Sequence, residues 1–218
     1  MENKIVLLAL LLEARQRGLT ELTKTQIHKF MFISEQRLWK KRILSTGMQF
    51  IKMKQGPWSQ DAENTLKQLE GAGLVKVHAV RTSSGDHAIL TTLTQNGLEL
   101  ADSCVSKMTT SPASKIVESI RETIEKYGDV SSEDLQQQSH NMKNLVTMKR
   151  IHDIPLRQYV LRPRTLREAK EVFVPDEGCL ETLEILIDSE TRKGLERAIQ
   201  GARERSLTVV ASLDELED

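Results

Sequence analysis

The chain has 218 residues, of which 39% are hydrophobic and 28% are charged. This length and apolar fraction suffice for one large or two small domains with a buried core, and they exclude a disordered or low-complexity chain. The 31 basic and 31 acidic side chains balance, which excludes a polycation or polyanion as a whole. The balance conceals an asymmetry, because residues 1–170 hold 26 basic and 18 acidic side chains and residues 171–218 hold 5 and 13.

The apolar run Ile5–Leu12 predicts a buried first helix over residues 3–16 that ends before Gly18. The run is far shorter than the ~20 residues of a membrane-spanning helix. Glu2 and the charged residues that follow the run also argue against a signal peptide. Together with two widely separated cysteines, Cys104 and Cys179, this favours a cytoplasmic protein without a membrane partner, a disulfide framework or a cysteine metal site.

The next segments predict two further helices and a hairpin. Thr23–Gln26 reads as a capping box that begins a second helix, and Lys40-Lys41-Arg42 closes it. After a short predicted strand at Gln49–Met53 and a break at Gly56-Pro57, Ser59 can cap a third helix. Residues 74–81 and 87–93 then predict two paired strands.

Three helices followed by a hairpin are the order of a winged-helix unit. We therefore predict an α+β, mainly helical fold with a winged-helix-like N-terminal unit, followed by further helices and a C-terminal strand and helix. The pattern favours the fold more than it favours DNA binding, because such folds also serve as protein-binding scaffolds.

Further helices are predicted from Ser111-Pro112 to Tyr127-Gly128 and from Ser131 to about His140. We divide the chain into a first domain (1–141), a basic connector that packs on it (142–175) and an acidic partner-binding arm (176–218). Within the arm, Leu183–Ile187 predicts a short strand and Ser189 caps a helix.

The arm carries apolar residues at helical spacing and then an extended end, which suits a segment that binds a partner. The candidate contacts are Leu195, Ile199, Ala202, Val209, Val210, Leu213 and Leu216. The alternative is a C-terminal helix docked on its own domain or a solvated acidic end without a partner.

Motifs of common enzyme classes are missing from the sequence. It has no glycine-rich phosphate loop, no Gly-x-Ser-x-Gly elbow and no His-Glu-x-x-His motif, and its five histidines are scattered. The sequence therefore indicates no enzyme and no metal or other cofactor.

Basic side chains near the predicted second helix and hairpin are candidates for phosphate contacts in DNA. They are Lys24, Lys29, Lys40, Lys41, Arg42, Lys52, Lys54 and Arg81. Against this, the predicted third helix carries three acidic residues and only Lys67, so a solvated mixed-charge face is the alternative. Trp39 and Trp58 are either stacking platforms or core anchors.

Three segments occur in an order that resembles a known family. They are TKTQIHKFMFISEQ (Thr23–Gln36), FIKMKQGPWSQDAENTLKQLEGAGLVKV (Phe50–Val77) and YGDVSSEDLQQQSH (Tyr127–His140). Over residues 3–141 the chain resembles the Panacea (SocA-like) domain family, whose members are mostly antitoxins of toxin–antitoxin pairs or proteins similar to proteolysis adaptors. The motif residues that match are Phe30, Gly56, Pro57, Ser59, Tyr127, Gly128 and His140.

This resemblance implies an antitoxin that neutralises a cognate protein toxin by direct binding. Antitoxins often repress their own promoters, so operator DNA and a homodimer are also expected, and the acidic arm resembles the neutralising tails of small antitoxins. The alternative functions are a winged-helix transcriptional regulator without a toxin partner and an enzyme built around Tyr127 and His140. The motif residues also have a purely structural reading, with Gly56-Pro57 as a turn and with Tyr127 and His140 hydrogen-bonded in the core.

Overall fold

The fold is described from a computed structural model over residues 1–81, 85 and 87–203, without the side chains of Ser189 and Arg203. Its elements follow in chain order as α1 (Glu2–Gln16), β1 (Leu22–Thr23), α2 (Lys24–Lys41), β2 (Ile43–Leu44), β3 (Phe50–Met53), β4 (Gly56–Trp58), α3 (Gln60–Gly71), β5 (Val75–Arg81), β6 (His87–Leu93), α4 (Gln95–Ser106), α5 (Ala113–Tyr127), α6 (Ser132–Asn141), a 3-10 turn (Ile151–Asp153), β7 (Tyr159–Leu161), β8 (Glu171–Val172), α7 (Glu177–Ile187) and α8 (Ser189–Arg203). The predicted α+β, mainly helical class is confirmed.

Helix α1 occupies the centre of the core, as its apolar sequence predicts. Every residue from Ile5 to Ala14 is buried, and the helix packs against α3, α4 and α5. Glu13 is the one charged residue in this run. Its carboxylate accepts two hydrogen bonds from the Arg121 guanidinium on α5, at 2.9 and 3.1 Å, so the buried charge is paired.

The predicted three helices and hairpin are present. Strand β1 pairs with β6, which pairs with β5, in an antiparallel sheet of order β1-β6-β5. The capping box predicted at Thr23–Gln26 is present at the start of α2, and Ser59 caps α3 by accepting a hydrogen bond from the Ala62 amide. Local hydrogen bonding therefore sets where these helices begin.

Between α2 and α3 the chain forms three short strands, β2, β3 and β4. Strands from residues 142–175 pair with two of them. Strand β3 lies between β4 and β7 in an antiparallel sheet, and β2 pairs with β8 in parallel. The segment predicted as a basic connector thus adds one strand to each of two small sheets. The domain boundaries themselves stay a prediction.

The strand predicted at Leu183–Ile187 is wrong, because these residues form the end of helix α7. The Asp176 carboxylate caps this helix by accepting from the Cys179 amide. Cys179 and Leu183, one turn apart, both point into the core and are buried. This burial on one helical face favours a helix over the short apolar strand predicted there.

Among the helices that the structure describes, none is both long and apolar enough to cross a membrane.

Candidate functional site

The three segments that carry the family resemblance meet where α2, β4 and α6 pack together. On α2, the Lys29 ammonium donates to the Pro57 carbonyl at 2.8 Å, and His28 Nδ1 accepts from the Ser59 amide at 3.3 Å. On α6, the His140 ring lies against the α-carbon of Gly56. We call this arrangement the α2–β4–α6 junction.

Gly56 is the first residue of strand β4 and follows the β3–β4 turn directly, at the position of the predicted break. Its φ of +92° is in the region that favours glycine, and a Cβ there would lie 2.8 Å from His140 Cδ2 and 2.9 Å from Ser139 Oγ. Both the backbone conformation and the close approach of α6 therefore require a residue without a side chain.

Burial and an ion pair between Lys24 and Glu63 set the pKa values of the titratable side chains in the junction. Burial and the charge of Lys29 lower the pKa of His28 to about 4, and Glu63, 3.6 Å from its Nε2, opposes this only in part. Burial lowers the pKa of Lys29 to about 8. Burial works against the charged form of Glu63, but the Lys24 ammonium at 2.6 Å outweighs it and lowers the pKa of Glu63.

The remaining motif residues are also packed into the interior. Phe30 is fully buried, and Tyr127 is buried at the end of α5 with Lys126 Nζ 5.2 Å from its ring centroid. His140 Nε2 has no hydrogen-bond partner among the described residues, so the expected core hydrogen bond of this ring is absent there. Burial and the charges of Lys52 and Lys29 lower the pKa of His140. We interpret the junction as structural.

The DNA-contact prediction is wrong for Lys29 and Lys52. Lys29 is buried in the junction. The Lys52 side chain is also buried, and its ammonium donates a hydrogen bond to the His152 carbonyl at 2.6 Å. Lys24 is half-buried and bound to Glu63. The exposed candidates are distributed over three elements, with Lys40, Lys41 and Arg42 at the end of α2, Lys54 in the β3–β4 turn and Arg81 at the end of β5.

Two of the three acidic side chains of helix α3 are bonded to other parts of the protein. The Glu63 carboxylate binds Lys24, and the Asp61 carboxylate accepts from the Gln49 amide at 3.0 Å. These bonds direct two of the three acidic side chains toward the protein itself.

The predicted partner-binding helix α8 presents its apolar side chains to solvent. Leu195 is 48% exposed and Ile199 is 44% exposed, and Ala202 is exposed on the same face. We call these three residues the α8 stripe. The other predicted contacts, Val209, Val210, Leu213 and Leu216, lie outside the described residues.

Helix α7, by contrast, anchors the arm to the body. Leu183 is fully buried, and the ammonium of Lys107, the residue directly after α4, binds the Asp176 carboxylate at 2.7 Å. The Arg192 guanidinium at the start of α8 donates to the Gly71 carbonyl at 3.1 Å. Helix α7 is thus docked on the body, whereas α8, the helix for which docking was the alternative, contacts it through Arg192 and leaves the α8 stripe uncovered by the residues that the structure describes.

The two cysteines, 75 residues apart in the sequence, meet between α4 and α7. Both are free and buried, and burial together with a thiol–thiol contact to Cys179 raises the pKa of Cys104. Their contact depends on how α7 packs against α4, so it could not be predicted from the spacing of the two cysteines in the sequence.

An open groove of about 520 Å³ was not predicted from the sequence. One wall is the turn that follows Asn144, and the other is β7 with the residues beside it. Asn144 joins the walls, because its amide nitrogen donates to the Val160 carbonyl at 3.0 Å and its oxygen accepts from the Val146 and Thr147 amides. We call it the Trp39–Tyr159 groove.

Aromatic rings stacked with arginine line this groove. The Arg162 guanidinium carbon lies 4.2 Å from the Tyr159 ring centroid, and that of Arg164 lies 3.8 Å from the Trp39 ring centroid. Trp39 is half-buried against the core, and Trp58 lies at the junction, with its ring centroid 5.7 Å from that of His28. A stacking role for either ring stays a prediction. The basic composition of residues 142–175 and the possible stacking role of Trp39 were the sequence signals for the groove.

No model of a known protein family matches the chain, and a search of curated proteins gives no match either. Within residues 1–81, 85 and 87–203, no group of three or more histidine, cysteine, aspartate or glutamate side chains is placed to hold a metal ion.

Proposed function

We propose that this protein is an antitoxin that binds and neutralises a partner protein through the α8 stripe. The observation that carries the proposal is the exposure of Leu195 and Ile199 on a helix whose preceding helix α7 is firmly docked. Apolar residues at this spacing on one exposed helical face are typical of a helix that docks in a groove of another protein.

The charge of the arm indicates the kind of partner. Residues 171–218 hold 13 acidic and 5 basic side chains, and α7 alone carries Glu177, Glu181 and Glu184. A basic surface on the partner would be attracted to this segment, which speeds association and selects against acidic proteins. The resemblance to antitoxins of the Panacea family supports the same function.

The test compares two double variants of the full chain. L195A/I199A removes the stripe, whereas K193A/R197A truncates two side chains on the opposite face of α8. Alanine favours the helix in both cases, so only the surface changes. Proteins captured from the native host by the wild type and by K193A/R197A, but not by L195A/I199A, are the candidate partners.

Each candidate is then expressed alone and together with the wild type or L195A/I199A. We expect expression alone to arrest growth, co-expression with the wild type to restore it, and L195A/I199A to fail. A captured protein that does not arrest growth, or capture that L195A/I199A leaves unchanged, would contradict the proposal.

DNA binding as a transcriptional regulator is the second candidate function. It is supported by the order of helices and hairpin and by the internal bonds of Asp61 and Glu63, which reduce repulsion between α3 and phosphate. The burial of Lys29 and Lys52 weakens it. Salt-dependent binding of duplex operator DNA that R81Q weakens would favour this function over the first.

A further inference from the structure

We infer that the Trp39–Tyr159 groove is a binding site for single-stranded nucleic acid. This inference concerns a surface separate from the α8 stripe and does not rest on the proposed function. It follows from three properties of the groove. These are its positive charge, the aromatic and guanidinium groups on which bases can stack, and the hydrogen bonds that hold its walls in place.

The charge of the groove suits phosphate. Arg157 and Arg162 line it, and no acidic side chain does so among the described residues. Both guanidiniums belong to exposed residues. The surrounding segment 142–175 contains eight basic and three acidic side chains, so the excess of positive charge extends beyond the groove. Such a surface attracts a polyanion and releases its counterions.

The stacking surfaces suit unpaired bases. Tyr159 is 43% exposed, and the guanidinium carbon of the exposed Arg162 lies 4.2 Å from its ring centroid, so a ring and a guanidinium meet at this wall of the groove. Trp39 also lines the groove but is half-buried, and the Arg164 guanidinium that stacks on its ring lies outside the groove lining. Bases stack on aromatic rings and on arginine planes when they are not already stacked within a duplex. The exposed Tyr159 and Arg162 in this groove therefore favour a single strand over double-stranded DNA.

The groove is also preformed. Asn144 is buried and uses both ends of its side chain to hold the turn against β7. Strand β7 in turn pairs with β3, so the wall that carries Tyr159 belongs to a sheet. Val146, 77% exposed, adds an apolar rim against which a sugar or a base edge can pack. A rigid site loses little conformational freedom on binding.

The experiment measures fluorescence anisotropy of labelled 12-residue oligonucleotides with the full chain. The probes are oligo-dT, oligo-U, a 12-base-pair duplex and an abasic strand of the same length, and poly-glutamate serves as a competitor. We expect both single strands to bind, with about sevenfold weaker affinity at 200 mM than at 50 mM salt if two phosphates are contacted. The ratio between oligo-U and oligo-dT decides whether RNA or DNA is the better ligand.

Three variants assign the binding to this groove. Y159A should weaken single-strand binding by about fivefold to 150-fold, the range for loss of one stacked base, while Y159F should keep the wild-type affinity. R157Q/R162Q should remove most of the salt dependence. The matched control R15Q/K76Q, which removes two exposed charges from α1 and β5, and the stripe variant L195A/I199A should both bind like the wild type.

Other outcomes overturn the inference. An abasic strand bound as tightly as oligo-dT would show attraction for any polyanion. Displacement by poly-glutamate at equal charge concentration would identify an acidic-peptide site. A duplex bound as tightly as the single strands, with no effect of Y159A, would move nucleic-acid binding away from the groove.

Discussion

The imidazole ring of His140 lies against the α-carbon of Gly56, so closely that a Cβ on residue 56 would be 2.8 Å from the ring. The two residues are 84 positions apart and belong to different elements, β4 and α6. Because Gly56 also has a φ of +92°, this contact joins a backbone requirement to a packing requirement at one point of the α2–β4–α6 junction.

Replacing Gly56 by alanine is expected to destabilise the protein by about 2 kcal/mol or more, because the positive φ is strained for alanine and the Cβ collides with α6. The measurement is chemical unfolding of G56A, H140A and the double variant. Removing the His140 ring relieves part of the collision, so the double variant should be more stable than the sum of the single effects predicts. G71A, where a Cβ meets no atom within 4 Å, is the control and should change little.

The buried ammonium of Lys29 should matter for folding rather than for DNA. K29A leaves the Pro57 carbonyl without its donor and opens a cavity, so we expect a loss of about 2–4 kcal/mol in unfolding free energy. K40A at the exposed end of α2 is the comparison and should lose less than about 0.5 kcal/mol. Equal stability of the two variants in urea unfolding would show that Lys29 is not buried in this contact.

Glu35 should make stability depend on pH. Burial raises its pKa to about 7, even though the Ser45 and Thr46 hydroxyls donate to its carboxylate and act in the opposite direction. The folded pKa exceeds the unfolded value, so its stabilising contribution is complete below about pH 4.5 and is lost as the pH rises through 7. Glutamine at this position does not titrate. The free energy of unfolding of E35Q, relative to that of the wild type, should therefore increase by about 3 kcal/mol between pH 4.5 and 8. A constant difference between the two proteins in thermal unfolding across this range would contradict the assignment.

His28 should act with the opposite sign. Its folded pKa of about 4 lies below the unfolded value of about 6.5, so its contribution is complete above pH 6.5 and disappears as the pH falls through 4. H28N keeps an acceptor for the Ser59 amide and does not titrate. Between pH 7 and 4.5 the wild type should therefore lose about 2–3 kcal/mol more than H28N. Unfolding curves at the two pH values give this difference directly, and equal losses would argue against a buried neutral imidazole.

The docking of α7 should control the stability of the arm. L183A removes a fully buried side chain and should lower the free energy of unfolding by about 2–4 kcal/mol. The first measurable effect should be faster amide hydrogen exchange in α7 and α8. I185A truncates a partly exposed residue of the same helix and should leave exchange close to that of the wild type. Exchange that accelerates equally in α1 would mean that the arm and the body unfold together.

The sequence alone determined the features that depend on neighbouring residues. The capping box at Thr23 and the cap at Ser59 mark the starts of α2 and α3 because each side chain accepts a hydrogen bond from the amide three residues later. The α8 stripe was also visible, since Leu195 and Ile199 lie one helical turn apart.

Only the tertiary structure decided which polar groups are buried and which distant segments meet. Nothing near Lys29 in the sequence shows that its ammonium binds the Pro57 carbonyl, and the contact of Cys104 with Cys179 follows from the position of α7. The Trp39–Tyr159 groove likewise combines an α2 residue with a segment more than 100 residues later. Such contacts arise from packing between elements, whose free energy is collective and is not written in any local pattern of residues.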